Sequence, residues 1–572
     1  MFGYHGCFLR IDVSTGRAEH VPVPESVLRE HLGGTGLGAW LLLREGQASG
    51  DPLAPTAPLI FAFSPLVGSP LTTTAKFAVV SKSPLTNRFN DALAGSGFAI
   101  AGKHSGADAI VIVGRARELS VLVVDNGDVR IEPAHELEGL PCGVAEEMLR
   151  ERLGAEFRIA SIGPAGERLV RYATISHDGR HAGRGGSGAV LGSKNLKAIA
   201  VRGNRRCDWA DPPELVRISR DLSTRSFGPA TEKYRELGTA SNMLAFNRFG
   251  TLPTRNFQSG SFEDAARLSP EDLRVPRDRA RAGCVACTIG CEHIYGKNGV
   301  RLEYESLFAL GSLCGIGDPE AVLAAIGRCD AIGIDTISTG GTIAFAMECV
   351  DRGLLDEPWL RFGDADALVR AIELIGRREG LGARLAEGSR RLAHEIGHDS
   401  IAFAPQVKGL ELPGYEPRAL QTMALGFAVA ARGADHNRSG AYEVDFSEKV
   451  DRRNATLASV RHAIETEDKA ALMDSLILCK FLRGVFTDFH VEAAGMLQTV
   501  TGWDVTADEL RETARRIVAT KRQVNLLAGW TMAEDTLPER FLDAPLASDP
   551  AASLTRQRLQ ELVAEYHRQR GW

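Results

Sequence analysis

No apolar run in this 572-residue chain approaches the ~20 residues needed to span a membrane. The opening stretch MFGYHGCFLRIDVSTG lacks a basic segment followed by an apolar core, so no secretory leader is expected. A field of one charge sign is lacking too. The net charge of -6 is close to balance for this length and argues against a nucleic-acid binder built on a basic surface. Ten cysteines are too few for a disulfide scaffold. A soluble cytoplasmic protein is the expectation, in which clustered thiols read as metal ligands rather than bridges. No repeat at a solenoid period and no low-complexity segment occurs. What is present is ordinary globular material, 44% hydrophobic and 24% charged, enough for a large buried core. At roughly 150 residues per domain the length allows three or four domains. Sixty glycines point to many tight turns or close backbone approaches.

The texture changes near Gly203. Before it, short runs such as LIFAFSP, KFAVVSKS, AIVIVGRA and LKAIAVRG are strand-like and bounded by Gly, Pro, Asn and Asp. LSVLVVDNGDVRIEP reads as a hairpin turning at Asn126-Gly127. After it, DPPELVRISRDLSTRS opens a mostly helical half with Asp211 as cap. DPEAVLAAIGRCDAIG repeats that grammar, with Asp318 as N-cap, Pro319 at the first helical position and Gly333 as stop. A softer boundary lies at APQVKGLELPGYEPR. The divisions are 1–205, 206–405 and 406–572.

The densest chemical signal is GCVACTIGCEH. Cys284, Cys287 and Cys291 place three thiols in one short loop, a cluster that either zinc or an iron–sulfur centre accepts. A zinc reading recruits His293 as fourth ligand. An iron–sulfur reading needs a fourth, distant cysteine. Cys479 stands out because Asp474 precedes it by five positions, the same framing as Asp330 and Asp335 in DAIGID. Cys7, Cys142, Cys207, Cys314, Cys329 and Cys349 read as small core residues.

These motifs, with EYESLFALG, SKSPLT, YHRQRGW and above all SIGPAGERLVRYATISHDGRHAGRGGSGAVLGSKNLKAIAV, resemble the tungsten-containing aldehyde:ferredoxin oxidoreductase family over essentially the whole chain. The resemblance implies an α+β fold: a β-rich base of two saddle-like six-stranded sheets, then two mainly helical domains closing over the cofactor. It implies a tungsten bis-pterin centre, a [4Fe–4S] cluster and a Mg²⁺ bridging the pterin phosphates. The dithiolenes hold tungsten or molybdenum, so the sequence does not distinguish them. Cys284, Cys287, Cys291 and Cys479 are the implied cluster ligands, which leaves His293 a neighbour.

The paired pterin motifs of the family match Asp330 to Asp335, with Ile334, and Asp474 to Cys479, with Leu478. Carboxylates suit a pterin because they accept its ring N–H donors. Five helical residues turn through about 500°, so the two ends share a face only if the helix breaks, and Gly333 supplies the break. The second motif carries Ile477 where the family has Gly. For the pterin phosphates, GRHAGRGGSG offers Arg180, His181, Ala182, Gly183, Arg184 and Gly185, an anion nest of side chains and backbone. Lys76 stands where an Arg usually links cluster and pterin, with Gly95 in the same region, and Arg438 takes a usual Lys place. The carbonyls of Leu93, in place of a usual Asn, and of His181 are the implied Mg²⁺ ligands. Glu305 and His436 match the residues beside tungsten and are the candidate acid–base pair. Glu303 is an alternate acid, and Glu443 and Asp445 point to a more polar pocket.

The implied activity is oxidation of a small aldehyde to a carboxylic acid, with electrons leaving to a ferredoxin or ferredoxin-like subunit. A second reading keeps the cofactors but makes the chain the catalytic subunit of a larger reductase acting on an aromatic acyl thioester or a carboxylate. A third is a non-catalytic, zinc-stapled paralogue. AAIG stands where some family dimers share an iron through Glu-x-x-His, so no bridging iron is expected, and homodimerisation stays open. GGTGLGAW lacks the order of a dinucleotide loop and reads as a structural turn.

Overall fold

The computed structural model describes residues 1–46, 48–273, 279–296 and 299–572. The β-rich part forms the two expected six-stranded sheets. In the first, the strands run Arg17–Pro22, Cys7–Asp12, Ala109–Val113, Leu59–Ala62, Lys76–Lys82 and Phe89–Gly95 across the sheet. In the second the order is Arg180–Ala182, Ile175–His177, Arg158–Ser161, Leu196–Arg202, Ser120–Asp125 and Asp128–Pro133. The hairpin at Asn126-Gly127 forms as the turn chemistry dictates, with Asp125 opposite Asp128. The apolar runs that read as strands are the buried ones: Phe61, Val79, Ile110 and Ile112 are sealed from solvent, as burial on both faces of a sheet requires.

Two strand ends carry the base into the site. Lys76 begins one strand and pairs with Gly95, the last residue of its neighbour. The edge hairpin Ile175–His177/Arg180–Ala182 presents Arg180 and His181.

The rest is mainly helical. Asp318 caps Pro319–Ile332 by accepting from Glu320 N, and Gly333 ends that helix in the left-handed region. Asp211 caps Pro212–Ser226 in the same way through Glu214 N. A small antiparallel sheet, Arg279–Ala282, Glu292–Tyr295 and Val300–Arg301, interrupts the helices. Its first connection is the cysteine loop. Among the described residues no single helix is long and apolar enough to cross a membrane.

One reading is corrected. Gly33 to Trp40 is no turn: Gly34–Arg44 is an eleven-residue helix. Its glycines serve close packing. A Cβ at Gly36 would lie 2.2 Å from the His31 carbonyl, and one at Gly38 would lie 2.5 Å from Val80 Cγ2. Gly36 N donates to Ser475 Oγ (3.1 Å), which seats this helix against the end of Leu457–Leu476.

Candidate active site

A cavity of about 880 Å³ lies where the base meets the helices, and all four singled-out thiols line it. Cys284, Cys287 and Cys291 reach it from the loop between two strands, and Cys479 from the turn after Leu457–Leu476. Thr73 joins the two sources, its N donating to Ala286 O (3.0 Å) and its hydroxyl accepting from Cys479 N (3.4 Å). Burial pushes the Cys291 thiol up, and the neighbouring Cys479, Cys287 and Cys284 add to it. Lys76 lies among them, half-buried. Burial opposes its charge, yet Cys479, Cys284 and Cys291 carry it above the ordinary lysine value. Gly95 is a cradle on the same side, since a Cβ there would sit 2.7 Å from Cys284 Sγ. A four-thiol donor set facing a half-buried ammonium fits an anionic metal centre of the Cys₄ kind. His293 is turned away: it is buried, with Nε2 3.1 Å from the Tyr234 carbonyl.

Both framed motifs break their helices at the same place. Gly333 is left-handed at φ 77°, ψ 55°, and Ile477, despite its branched side chain, is left-handed at φ 63°, ψ 29°. The replacement of Gly therefore leaves the turn intact. After the breaks, Asp335 caps Thr336–Asp351, accepting from Ile337 N (3.3 Å) and Ser338 N (3.2 Å). Cys479 occupies the position just before the short turn Lys480–Leu482, its thiol making no capping bond. Asp330 opens to the cavity, 3.4 Å from His181 Nε2, and burial pushes its carboxyl up to about 6. Asp474 is held by Arg438 (3.1 Å) and Lys480 (3.0 Å).

The basic residues are already engaged. Arg180 pairs with Glu292, and Arg184 reaches Asp335 (3.4 Å) and the Ala434 carbonyl (2.6 Å), tying the base to the helices. Leu93, His181, Gly183, Ile334 and Leu478 line the cavity. Ala182 and Gly185 do not. Ala182 is buried within its strand, and a Cβ at Gly185 would clash with Asn90 Oδ1 at 2.0 Å, so this glycine is explained by packing.

Glu305 and His436 meet across the cavity, Nε2 to Oε1 at 3.6 Å. Gly414 N donates to Glu305 Oε2 (3.0 Å), and burial pushes this carboxyl up to about 8. Burial pulls His436 down to about 3, so its ring is neutral. Asn437 Nδ2 lies 2.9 Å from its Nε2, and the tautomer that accepts this bond carries the ring proton on Nδ1. Glu305 Oε1 and His436 Nδ1 have no hydrogen-bond partner, and neither do Arg432 Nε and Nη2, although all are buried. Buried polar groups are seldom left so, and these fit a polar ligand. Glu303 and Glu443 also line the cavity, Glu443 paired with Arg483. Asp445 does not: its carboxylate accepts from Thr422 N (3.0 Å) and Met423 N (2.8 Å), closing a helix start.

Sequence reasoning passed over the supports of these groups. Asp91 is a buried hub contacting Arg438 (2.8 Å), Lys521 (2.7 Å) and Arg432 (3.6 Å). Burial works against its charge, but Arg438, Lys521 and Arg432 together hold its carboxyl well below the usual range. Asp435 caps His436–Ser439 through Asn437 N (2.8 Å) and so fixes the catalytic candidate beside it. An Asp directly before a short polar helix was the available signal.

Thiols, an ammonium and the Glu305–His436 pair are thus gathered in one cavity between a two-sheet base and helical lobes. The N-terminal domain model of aldehyde ferredoxin oxidoreductase matches residues 8–203, and the model of its domains 2 and 3 matches 220–572. The chain belongs to the aldehyde ferredoxin oxidoreductase family. The tungsten-containing aldehyde ferredoxin oxidoreductase of Pyrococcus furiosus is 37% identical to it, over 100% of this chain and 97% of that protein. The WOR-like subunit of an aliphatic sulfonate oxidoreductase from the same organism is 28% identical, over 100% and 95%. Among solved structures, the BamBC active-site complex of benzoyl coenzyme A reductase with 1,5-dienoyl-CoA shares the fold, with TM-score 0.84 and 21% identity over 100% of this chain and 95% of that one.

Proposed function

We propose that this enzyme oxidises aldehydes to carboxylic acids, RCHO + H₂O → RCOOH + 2 H⁺ + 2 e⁻, and that Glu305 and His436 handle the protons. The single observation that carries the reading is one cavity lined by four thiols and Lys76 together with the Glu305–His436 pair. Cys284, Cys287, Cys291 and Cys479 would hold a [4Fe–4S] cluster, with Lys76 opposing its negative charge. Asp330, Asp335 and Asp474 would accept from pterin N–H groups, Arg180, Arg184 and Arg438 would face the phosphates, and the carbonyls of Leu93 and His181 would take Mg²⁺. When bound, the tungsten–pterin centre accepts two electrons from the substrate and the cluster passes them singly to a ferredoxin or ferredoxin-like subunit.

The chain's own part is positioning and proton transfer. His436, neutral with its proton on Nδ1, donates a hydrogen bond to the aldehyde oxygen without adding a full charge to a buried site. Glu305, its carboxyl pushed up to about 8, accepts in its ionised form the proton released as the carbonyl carbon gains oxygen. The Gly414 amide and the Asp435 cap hold these two side chains in place before substrate arrives.

The test is elemental analysis of anaerobically purified protein for W, Mo, Fe, Zn and acid-labile sulfide, then an aldehyde panel with a viologen dye. Tungsten or molybdenum with iron, sulfide and aldehyde-dependent dye reduction is expected. Zinc with neither sulfide nor turnover refutes the reading.

A further inference from the structure

We propose that the mouth of this cavity selects aldehydes carrying a flat apolar tail, with Phe249 and Phe446 as its specificity-determining residues. The inference rests on the aldehyde-oxidising reading above. A continuous series of rings leads outward from His436. Tyr415 stacks on the imidazole (centroids 5.0 Å, 28°), Phe246 follows at 5.4 Å from Tyr415, and Phe446 stacks on Phe246 (5.1 Å, 14°). Phe249 ends the series, 5.7 Å from Phe446. All five side chains line the cavity, yet Phe249 is 48% and Phe446 36% exposed.

Phenylalanines so open to water lose burial free energy, and here their places are set by anchors rather than by slack. The Arg452 guanidinium lies over the Phe249 ring (5.3 Å) and donates to the Phe249 carbonyl (3.0 Å). Phe446 follows Tyr442–Asp445, and that turn is pinned by the Asp445 carboxylate on Thr422 N and Met423 N. Two anchored, half-exposed rings in series with His436 offer ring contact and apolar burial to a substrate ring. Each ring contact of this kind is worth about three- to tenfold in affinity. A methyl or ethyl tail would leave both rings as exposed as they are without substrate.

The experiment compares propanal with 3-phenylpropanal, which share the reacting group and differ by the ring. On the holoenzyme, kcat/KM for 3-phenylpropanal should exceed that for propanal by about tenfold or more. That ratio should fall about three- to tenfold in Phe249→Ala and in Phe446→Ala. Phe446→Leu, which keeps most of the apolar volume, guards against misfolding and should lower the ratio less. Calorimetry on the cofactor-free chain with unreactive 3-phenylpropanamide against propanamide gives a second readout, the aryl amide binding more tightly and losing its advantage in Phe249→Ala. A wild-type ratio near one, or a ratio unchanged in both alanine variants, overturns the inference while turnover itself leaves the aldehyde reading standing. If neither aldehyde is oxidised but the amides still discriminate, the reading fails and the mouth assignment holds. Equal amide affinities overturn the assignment.

Discussion

Replacing Ile477 with Gly sets two forces of known sign against each other. Ile477 is left-handed and sealed from solvent, in the core shared by the base and the helix Leu457–Leu476. Its Cδ1 lies 2.7 Å from the point where a Cβ of Gly34 would stand, so it fills the space that glycine leaves. The left-handed conformation costs a branched residue about 1–2 kcal/mol, and Gly relieves that. Removing the buried side chain costs about 2–5 kcal/mol, and the freer unfolded chain adds about 0.5–1 kcal/mol. Packing therefore wins by about 3 kcal/mol, within a range of about 0.5–5. Ile477→Ala keeps the strain and loses the packing, so the order of stability should be Ile, then Gly, then Ala. Thermal midpoints of the cofactor-free proteins, with hydrogen exchange in Leu457–Leu476, give that order. Greater stability of Ile477→Gly than wild type would show strain to dominate. Ala equal to Gly would mean that position 477 is not left-handed, removing the turn that brings Asp474 and Cys479 to one cavity.

Other outcomes follow from the same geometry. Glu305→Gln should lower kcat/KM by about 10²–10⁴-fold, and in the wild type kcat/KM should rise with pH through about 8, the value to which burial pushes this carboxyl. In the cofactor-free chain Glu305 is raised from its unfolded value, so its neutral form favours folding fully below about 4.5 and that contribution is lost as pH climbs to about 8. Glu305→Gln should therefore gain on wild type in thermal midpoint across that interval, and a pH-independent difference would contradict the burial of this carboxyl. Arg438→Met strips a cation from both Asp91 and Asp474 and should destabilise the cofactor-free chain by about 3 kcal/mol in denaturant melts. Lys76→Met should lower the reduction potential of the iron–sulfur signal in a spectroscopic redox titration, because a positive charge that favours the reduced form is gone. An unmoved potential would separate Lys76 from the cluster.

Much of this was legible in residue order because the signals are local. Asp318, Pro319 and Gly333 mark the limits of one helix, and Asn126-Gly127 marks a hairpin, since caps and turns are satisfied by neighbours. The two sheets followed from the resemblance, with only the β-then-α division readable from pattern. Gly33 to Trp40 misled because glycines used for close helix packing look like turn glycines until the partner surface is known. The Asp91 hub left no trace, as its partner Arg438 lies 347 residues away. The aromatic mouth was equally silent. Phe246, Tyr415 and Phe446 come from separate segments, and a lone Phe in a sequence reads as core.

The most direct test of the central claim is the iron, acid-labile sulfide and paramagnetic resonance of Cys479→Ser beside wild type, both purified anaerobically. If the thiol after Leu457–Leu476 completes the site begun by Cys284, Cys287 and Cys291, iron and sulfide fall and the signal of the reduced cluster is lost or altered. Wild-type iron, sulfide and spectrum in the variant would contradict the account.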